Sequence, residues 1–366
     1  MQFLTVFLMV NSFILVLCSL IAISSYFLKQ SGKVKLRVNE SDLEDVERGV
    51  TLFDALAENG IYLPAACGGK GTCGRCLVKC SEGGGPLTPM ERLALSAQEL
   101  DSGCRLACQI KIRESVVLKL PQELLSAKKY KARLVYGKYV GDGIRLMNFE
   151  LEENQTLHFR PGQYVQVYRQ LPHERIVRAY SISSPASQKK GFSLDVQFVA
   201  GGIMSGYLNR LPIGEELEIS GPYGDMAFET DQSDSPVVLV AGGVGLAPIR
   251  SILYSIIEMP TPPKVYLFWG ARYRVNLYAE NELRELAETN SDWLLFIPAL
   301  SGALIEEGWT GATGFIHEAV EASLPEMKDG RAFICGPGPM MDAVTEVLQK
   351  KGLRPDNIKA DPFDFN

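Results

Sequence analysis

Phe3 to Leu28 form a mostly apolar run of 26 positions without a charge, long enough to cross a bilayer as a tilted helix. Beyond it the pattern changes three times. Val34 to Val38 alternates as a strand, and Thr51 with Asp54 opens a helix from Leu52 to Asn59 that stops at Gly60. The capping box Thr88-Pro89-Met90-Glu91 predicts a second helix near Met90 to Ala97, and strands Cys108 to Ile112 and Val116 to Leu120 close this unit. Pro121 and Ser126-Ala127-Lys128-Lys129 read as a linker. From about Ala132 to Phe228, alternating runs such as Gln163 to Tyr168 and Phe192 to Phe198 recur between turn residues, the pattern of a small antiparallel barrel. A continuous apolar run follows at Pro236 to Ala241, with further strands at Lys264 to Trp269, Trp293 to Ala299 and Arg331 to Ile334. They alternate with helical stretches such as Ile249 to Ile257, as buried parallel strands do.

The expected organisation is therefore multidomain: an N-terminal transmembrane helix (1–30), a small mixed unit (31–125), an antiparallel β-barrel (126–232) and an α/β parallel-sheet domain (233–366). At 366 residues and 46% hydrophobic, the chain has enough apolar mass for several ordinary cores. A net charge of -6 argues against a nucleic-acid surface. A cleaved signal peptide would show a basic start and a small-x-small cleavage site. Met1-Gln2-Phe3 has no basic residue, so the run reads as a retained anchor. Lys29, Lys33, Lys35 and Arg37 follow it, which places the catalytic domains on the cytoplasmic side of the inner membrane behind a single span.

Chemistry first shows at Cys67, Cys73 and Cys76, spaced C-x5-C-x2-C on a glycine-rich loop, with Cys108 after 31 further residues. Three thiolates on one loop and a fourth from a distant segment suit a plant-type [2Fe-2S] cluster, in a small β-grasp ferredoxin domain. The usual loop has four residues between its first two cysteines, and here there are five. Structural zinc is the alternative, but it usually takes two close cysteine pairs, and the second half offers only Cys104-x3-Cys108. Cys18, Cys80 and Cys104 are left over and are expected to be small buried hydrophobes.

In the barrel region Arg178-Ala179-Tyr180-Ser181 offers a guanidinium for a pyrophosphate, a ring to stack on an isoalloxazine and a hydroxyl for the flavin edge. Gly202-Ile203-Met204-Ser205 would open a short helix whose free amides face the same phosphates. In the last region Gly242-Gly243-Val244-Gly245-Leu246-Ala247-Pro248 joins a strand to a helix, a dinucleotide cradle that departs from the G-x-G-x-x-G spacing. Cys335-Gly336-Pro337 ends a strand at the carboxyl edge of the sheet, where doubly wound folds place ligands.

That succession of motifs resembles the ferredoxin-NADP reductase superfamily. With the apolar helix in front, it resembles the F-subunit family of sodium-translocating NADH:quinone reductases. Gly103 to Gln109, Trp309-Thr310-Gly311, Gly314 to His317 and the ending Asp356 to Phe363 are similar to segments of that family. The resemblance implies FAD on Arg178, Tyr180 and Ser181, NADH on the glycine loop beside Cys335, and Phe363 stacked over the flavin until nicotinamide displaces it. It also implies integral-membrane redox subunits as partners and quinone as final acceptor. Members of the family carry an insertion before the flavin motif, whereas here Arg178 comes only 16 residues after Gly162. In this the flavin region resembles soluble oxygenase reductases, which keeps a reductase feeding an oxygenase as the alternative. The segment Gly270-Ala271-Arg272 resembles NADH users. Arg272 and Arg274 could pair with a 2'-phosphate, and Asn276 stands where the family has an acidic residue.

Overall fold

Capping chemistry and apolar alternation place most elements of the chain within a residue or two of their predicted positions. The computed structural model describes residues 2–28, 32–43, 45–172, 175–229, 235–302 and 308–362. Its contacts divide the chain into two units, residues 1–63 with 69–125, and residues 64–68 with 126–366.

The first unit begins with the helix Gln2–Leu28. Among the described residues no helix is long and apolar enough to cross a membrane, so the span expected from Phe3 to Leu28 finds no support there. The described side chains cover only Phe7 and Met9 to Ile21. These side chains are exposed on every face, and Asn11 satisfies its amide by donating to the Phe7 carbonyl at 2.8 Å.

After the helix, Lys33–Val34 pairs with Val46–Glu47. A five-stranded sheet follows in the order Ser41–Asp42, Leu36–Val38, Val116–Lys119, Leu77–Glu82, Cys104–Leu106. Leu36, Leu52, Leu56, Leu106, Ile110 and Leu118 are buried in its core. Thr51 accepts from the Asp54 amide at 3.1 Å and starts Leu52–Glu58, as predicted. The helix expected from Met90 to Ala97 is instead two, Pro89–Ala94 and Ala97–Asp101, because Ser96 with Glu99 is itself a capping box that begins a new helix. Cys108 also departs from expectation. It sits on the 3-10 turn Ala107–Gln109 rather than on a strand, since the Ala107 amide turns back to the Cys76 carbonyl.

In the second unit, six antiparallel strands run in the order Arg175–Ser181, Tyr164–Gln170, Glu216–Tyr223, Lys128–Val140, Ile144–Leu151, Gly191–Gln197. The bridge between Ile182 and Leu194 brings the two ends of this sheet together as a barrel. Lys128 and Lys129, predicted as linker, belong to the first residues of a barrel strand, where Lys129 pairs with Ser220. The short segment 64–68 packs here too, with the Ala65 amide donating to the fully buried Gln166 at 3.2 Å.

The same unit holds a six-stranded parallel sheet in the order Ala312–Thr313, Leu294–Leu300, Val265–Ala271, Val237–Gly242, Arg331–Gly336, Ile358–Pro362. Its central strands are buried along their length, which explains why they read as continuous apolar runs. The helix Leu246–Ile257 packs its apolar face into the cluster of Leu239, Trp269 and Phe333. The carboxyl ends of these strands carry the glycine turn and Cys335.

Candidate functional site

Cys76 and Cys108 lie with their sulfurs 3.3 Å apart, both buried. The hydrogen bond from one thiol to the other, together with burial, pushes the Cys76 thiol up, with Cys73 adding to the effect. Two such thiols cannot both ionise without a cation. A tetrahedral metal with bonds of about 2.3 Å holds sulfurs about 3.7 Å apart, close to the 3.3 Å of this pair, so the two thiols suit ligation to one metal. Gln109 directs its side-chain amide to the Cys108 sulfur at 3.6 Å, a contact that steadies negative charge on sulfur. Gly68, Gly69, Gly71 and Gly74 all have positive φ, which lets the loop turn tightly around this point. Among the described residues no group of three or more His, Cys, Asp or Glu is gathered as for a single metal ion. Cys67 lies in the segment that packs with the second unit.

Behind Cys108 stands a buried ion pair. Glu91, 0% exposed, receives Arg105 Nε at 2.7 Å and Nη2 at 3.0 Å, the Leu106 amide at 3.1 Å and the Thr88 amide at 2.8 Å. Burial alone would raise its carboxyl, but the Arg105 guanidinium and the two amides outweigh burial and hold it below the usual carboxylate range. Cys80 and Cys104 are only half-buried. Each thiol makes a polar contact, Cys80 to the Glu82 carbonyl and Cys104 to the Ser102 hydroxyl, and Cys18 is exposed on the apolar helix, so none is a simple core residue.

On the barrel, Arg178, Tyr180 and Ser181 end the strand Arg175–Ser181. Alternation puts Arg178 and Tyr180 on one face and Ser181, which is buried, on the other. Burial, partly opposed by Arg178, pushes the Tyr180 hydroxyl up, so it stays protonated. Gly202 caps the helix Ile203–Arg210 with no side-chain bond to the first-turn amides, which leaves them available to an anion. The Ser205 hydroxyl turns inward instead, accepting the Val199 amide at 3.2 Å and so closing the turn before the helix. Met204 is buried in the barrel core, so only its backbone can reach a ligand. Arg145 holds the far end of this helix, donating to the carbonyls of Leu208 and Leu211, both at 2.8 Å. Nothing in the local sequence pattern announces it.

At the carboxyl edge of the parallel sheet lies a cavity of about 610 Å³, lined by Gly242, Gly243, Arg272, Asn276, Phe315 and Pro337 among others. Gly245 packs beneath it. A Cβ there would come 2.3 Å from the Cys335 carbonyl oxygen, so only glycine allows the turn to approach the next strand so closely. Pro248 is buried in the following helix. Cys335 is 0% exposed, its thiol donates to the Asp361 carbonyl at 3.1 Å, and burial pushes it well up. Gly336 pairs with Pro362, and Phe363 lies outside the described residues. Arg274 is engaged by Glu280 at 3.1 Å, which leaves Arg272 as the arginine lining the cavity. The exposed Phe315 ring stacks near His317 with centroids 5.9 Å apart at the cavity rim. The motif Gly314 to His317 is visible in the sequence, but its place at the cavity is not.

Residues 36–113 match the family of 2Fe-2S iron-sulfur cluster binding domains, 131–228 the oxidoreductase FAD-binding domain and 239–346 the oxidoreductase NAD-binding domain. These domains and the geometry above define a flavin- and iron-sulfur-dependent NADH oxidoreductase, with FAD, NADH and a [2Fe-2S] cluster as its cofactors and electrons passing from NADH to iron-sulfur. The chain is 31% identical to the F subunit of the Na(+)-translocating NADH-quinone reductase of Actinobacillus pleuropneumoniae, over 96% of this chain and 97% of that one. It is 30% identical to the corresponding protein of Haemophilus influenzae, over 96% and 95%. The chain thus belongs to the F-subunit family of Na(+)-translocating NADH-quinone reductases. Among solved structures it is similar to a cytochrome P450 reductase of Amycolatopsis, with a TM-score of 0.72 at 27% identity over 90% of this chain and 98% of that one. It is also similar to the ferredoxin reductase of carbazole 1,9a-dioxygenase, with a TM-score of 0.69 at 25% identity over 92% and 99%.

Proposed function

We propose that this chain takes hydride from NADH and delivers single electrons to integral-membrane redox subunits, with quinone as final acceptor, while held at the inner membrane by residues 3–28. Bound FAD supplies the acceptance of an electron pair as hydride and its release one electron at a time. The protein's own part is placement. Arg178 neutralises the flavin pyrophosphate with the amides after Gly202, those of Met204 and Ser205 included. Tyr180 covers one flavin face and Ser181 reaches its edge. Gly242, Gly243, Gly245 and Pro248 shape the nucleotide turn, and Cys335, Gly336 and Pro337 border the nicotinamide. Cys67, Cys73, Cys76 and Cys108 are the four cluster ligands. Domain limits of 31–125, 126–232 and 233–366 go with this reading.

The observation that carries the membrane part is the uncharged helix Gln2–Leu28, apolar and exposed on every described face, which a freely diffusing reductase has no use for. A second reading, delivery to an oxygenase, is supported by the short connection between Gly162 and Arg178 and by the likeness to two oxygenase reductases. Deleting residues 1–28 separates the two. The truncated protein is expected to be soluble and to keep NADH:ferricyanide activity, while NADH:quinone activity in membranes holding the partner subunits disappears. Full-length protein that stays out of the membrane fraction and gains nothing from those subunits would favour the oxygenase reading.

Phe363 follows directly on the strand that covers Cys335. We place its ring on the flavin face opposite Tyr180, from which it must swing away to admit nicotinamide. Truncation after Ala360 removes both the ring and the Asp361 carbonyl that receives the Cys335 thiol. The expected result is a folded protein with an altered flavin spectrum and an altered rate of flavin reduction by NADH. Wild-type values for both would remove this role.

A further inference from the structure

One buried carboxylate on the flavin barrel gathers two separate elements of the nucleotide-binding sheet region. Asp195, on the strand Gly191–Gln197, has a side chain only 2% exposed, and its Oδ2 receives Arg250 Nη1 at 3.0 Å and the Tyr278 hydroxyl at 2.7 Å. Arg250 lies five residues past Gly245 on the helix that leaves the glycine turn. Tyr278 follows the short turn Arg274–Asn276 at the cavity wall. The contact continues inward. The Tyr278 ring meets Trp269 edge-on with centroids 5.3 Å apart, and Trp269 Nε1 donates to the Gly243 carbonyl at 2.9 Å. Gln197, two residues along from Asp195 and opposite Ile144, lines the nucleotide cavity together with that residue.

We propose that Asp195 is a positioning residue for hydride transfer, setting the glycine turn at a fixed distance and angle from the flavin barrel through Arg250 and through Tyr278 and Trp269. Its chemistry supports geometry more than stability. Buried ion pairs contribute little net stability compared with apolar packing, and here Arg250 Nε finds no partner among the described residues. What such a pair supplies is direction, because a guanidinium and a phenol both aimed at one oxygen allow little rotation or sliding. Burial, with Asp195 beside it, holds the Tyr278 hydroxyl protonated, so it remains a donor throughout the neutral range. Tyr254 and Glu282 steady the outer face of Arg250, with Tyr254 Oη at 3.0 Å from Nη2.

The test is rapid mixing of NADH with the full-length, FAD-loaded protein, following flavin bleaching without oxygen. This step precedes the cluster and any membrane partner, so its outcome is independent of the acceptor. In Asp195→Asn the shape is kept but the charge is lost and an amide group faces two donors. Hydride transfer is expected to slow by about a hundredfold, the effect of roughly an ångström of misplacement. Flavin content should stay close to wild type, the thermal midpoint should fall because Arg250 loses its buried carboxylate, the dissociation constant for NADH measured well below that midpoint should change only a few-fold, and the isotope effect with 4-deuterated NADH should grow. Tyr278→Phe, which removes one hydroxyl, should slow transfer by about tenfold, since the Arg250 arm remains. A wild-type rate of flavin reduction in FAD-loaded Asp195→Asn overturns the proposal. If that variant does not hold FAD, Tyr278→Phe decides, and a wild-type rate there overturns it equally.

Discussion

Cys108→Ala is expected to lose the visible absorption of the iron-sulfur centre altogether, while flavin content stays near that of the wild type. Cys108 is buried, 3.3 Å from Cys76, on a turn pinned by the Ala107 amide to the Cys76 carbonyl. Alanine leaves that turn intact but removes a thiolate that the iron requires. Cys67→Ala, Cys73→Ala and Cys76→Ala should behave alike, whereas Cys80→Ala and Cys104→Ala should keep the spectrum. NADH:ferricyanide activity drawn directly from flavin should survive in all of them, and activity toward one-electron acceptors reached through the cluster should not. An intact cluster spectrum in Cys108→Ala would sink the ligand assignment.

The second large effect is one of stability. Glu91→Ala strands Arg105, whose Nε and Nη2 both lean on the lost carboxylate, and removes the half of the capping box in which Glu91 receives the Thr88 amide. Breaking a buried pair from one side costs about 3–5 kcal/mol. Unfolding of the cluster domain, followed by loss of cluster absorption in urea, should show a decrease of that size, and a loss under about 1 kcal/mol would contradict the packing described. The pair also sets a pH dependence. The native Glu91 carboxyl is held below its usual 4.5, so its contribution is complete above the unfolded value and fades as pH falls through the lowered native one. The stability gap between wild type and Glu91→Gln should therefore be flat at neutral pH and narrow only in acid.

Motifs are more legible in the sequence than the contacts between them. Thr51 and Thr88 mark true helix starts, because a cap is a local bond between residues three apart. The parallel strands stand out as apolar runs because both of their faces are covered. Cys108 reads as a strand residue, and only its distant bond to Cys76 shows otherwise. Ser96 and Glu99 form a capping box as readable as the one before it, yet the apolar spacing around them suggests a single longer helix. Asp195, Arg250 and Tyr278 are not legible at all, since residues 55 and 83 positions apart meet only after the barrel and the sheet have formed. Cys335 is correctly expected at a strand end, but its burial under Ile358–Pro362 depends on the far terminus of the chain.

The hairpin of Tyr164–Gln170 with Arg175–Ser181 has a kinetic consequence. Its seven pairs run from Gln170 with Arg175 to Tyr164 with Ser181, so the strand carrying Arg178, Tyr180 and Ser181 finds its partner by closing a short local loop. A loop ten times longer would cost about 2 kcal/mol more in closure entropy. The alignment with the Actinobacillus relative spans 405 positions, against 366 residues here, so that relative carries segments this chain lacks. Local pairing of this kind forms in microseconds, whereas the parallel strands from Val237 to Pro362 must wait for partners far away in the chain. The flavin strand is thus among the first parts of the second unit able to take shape.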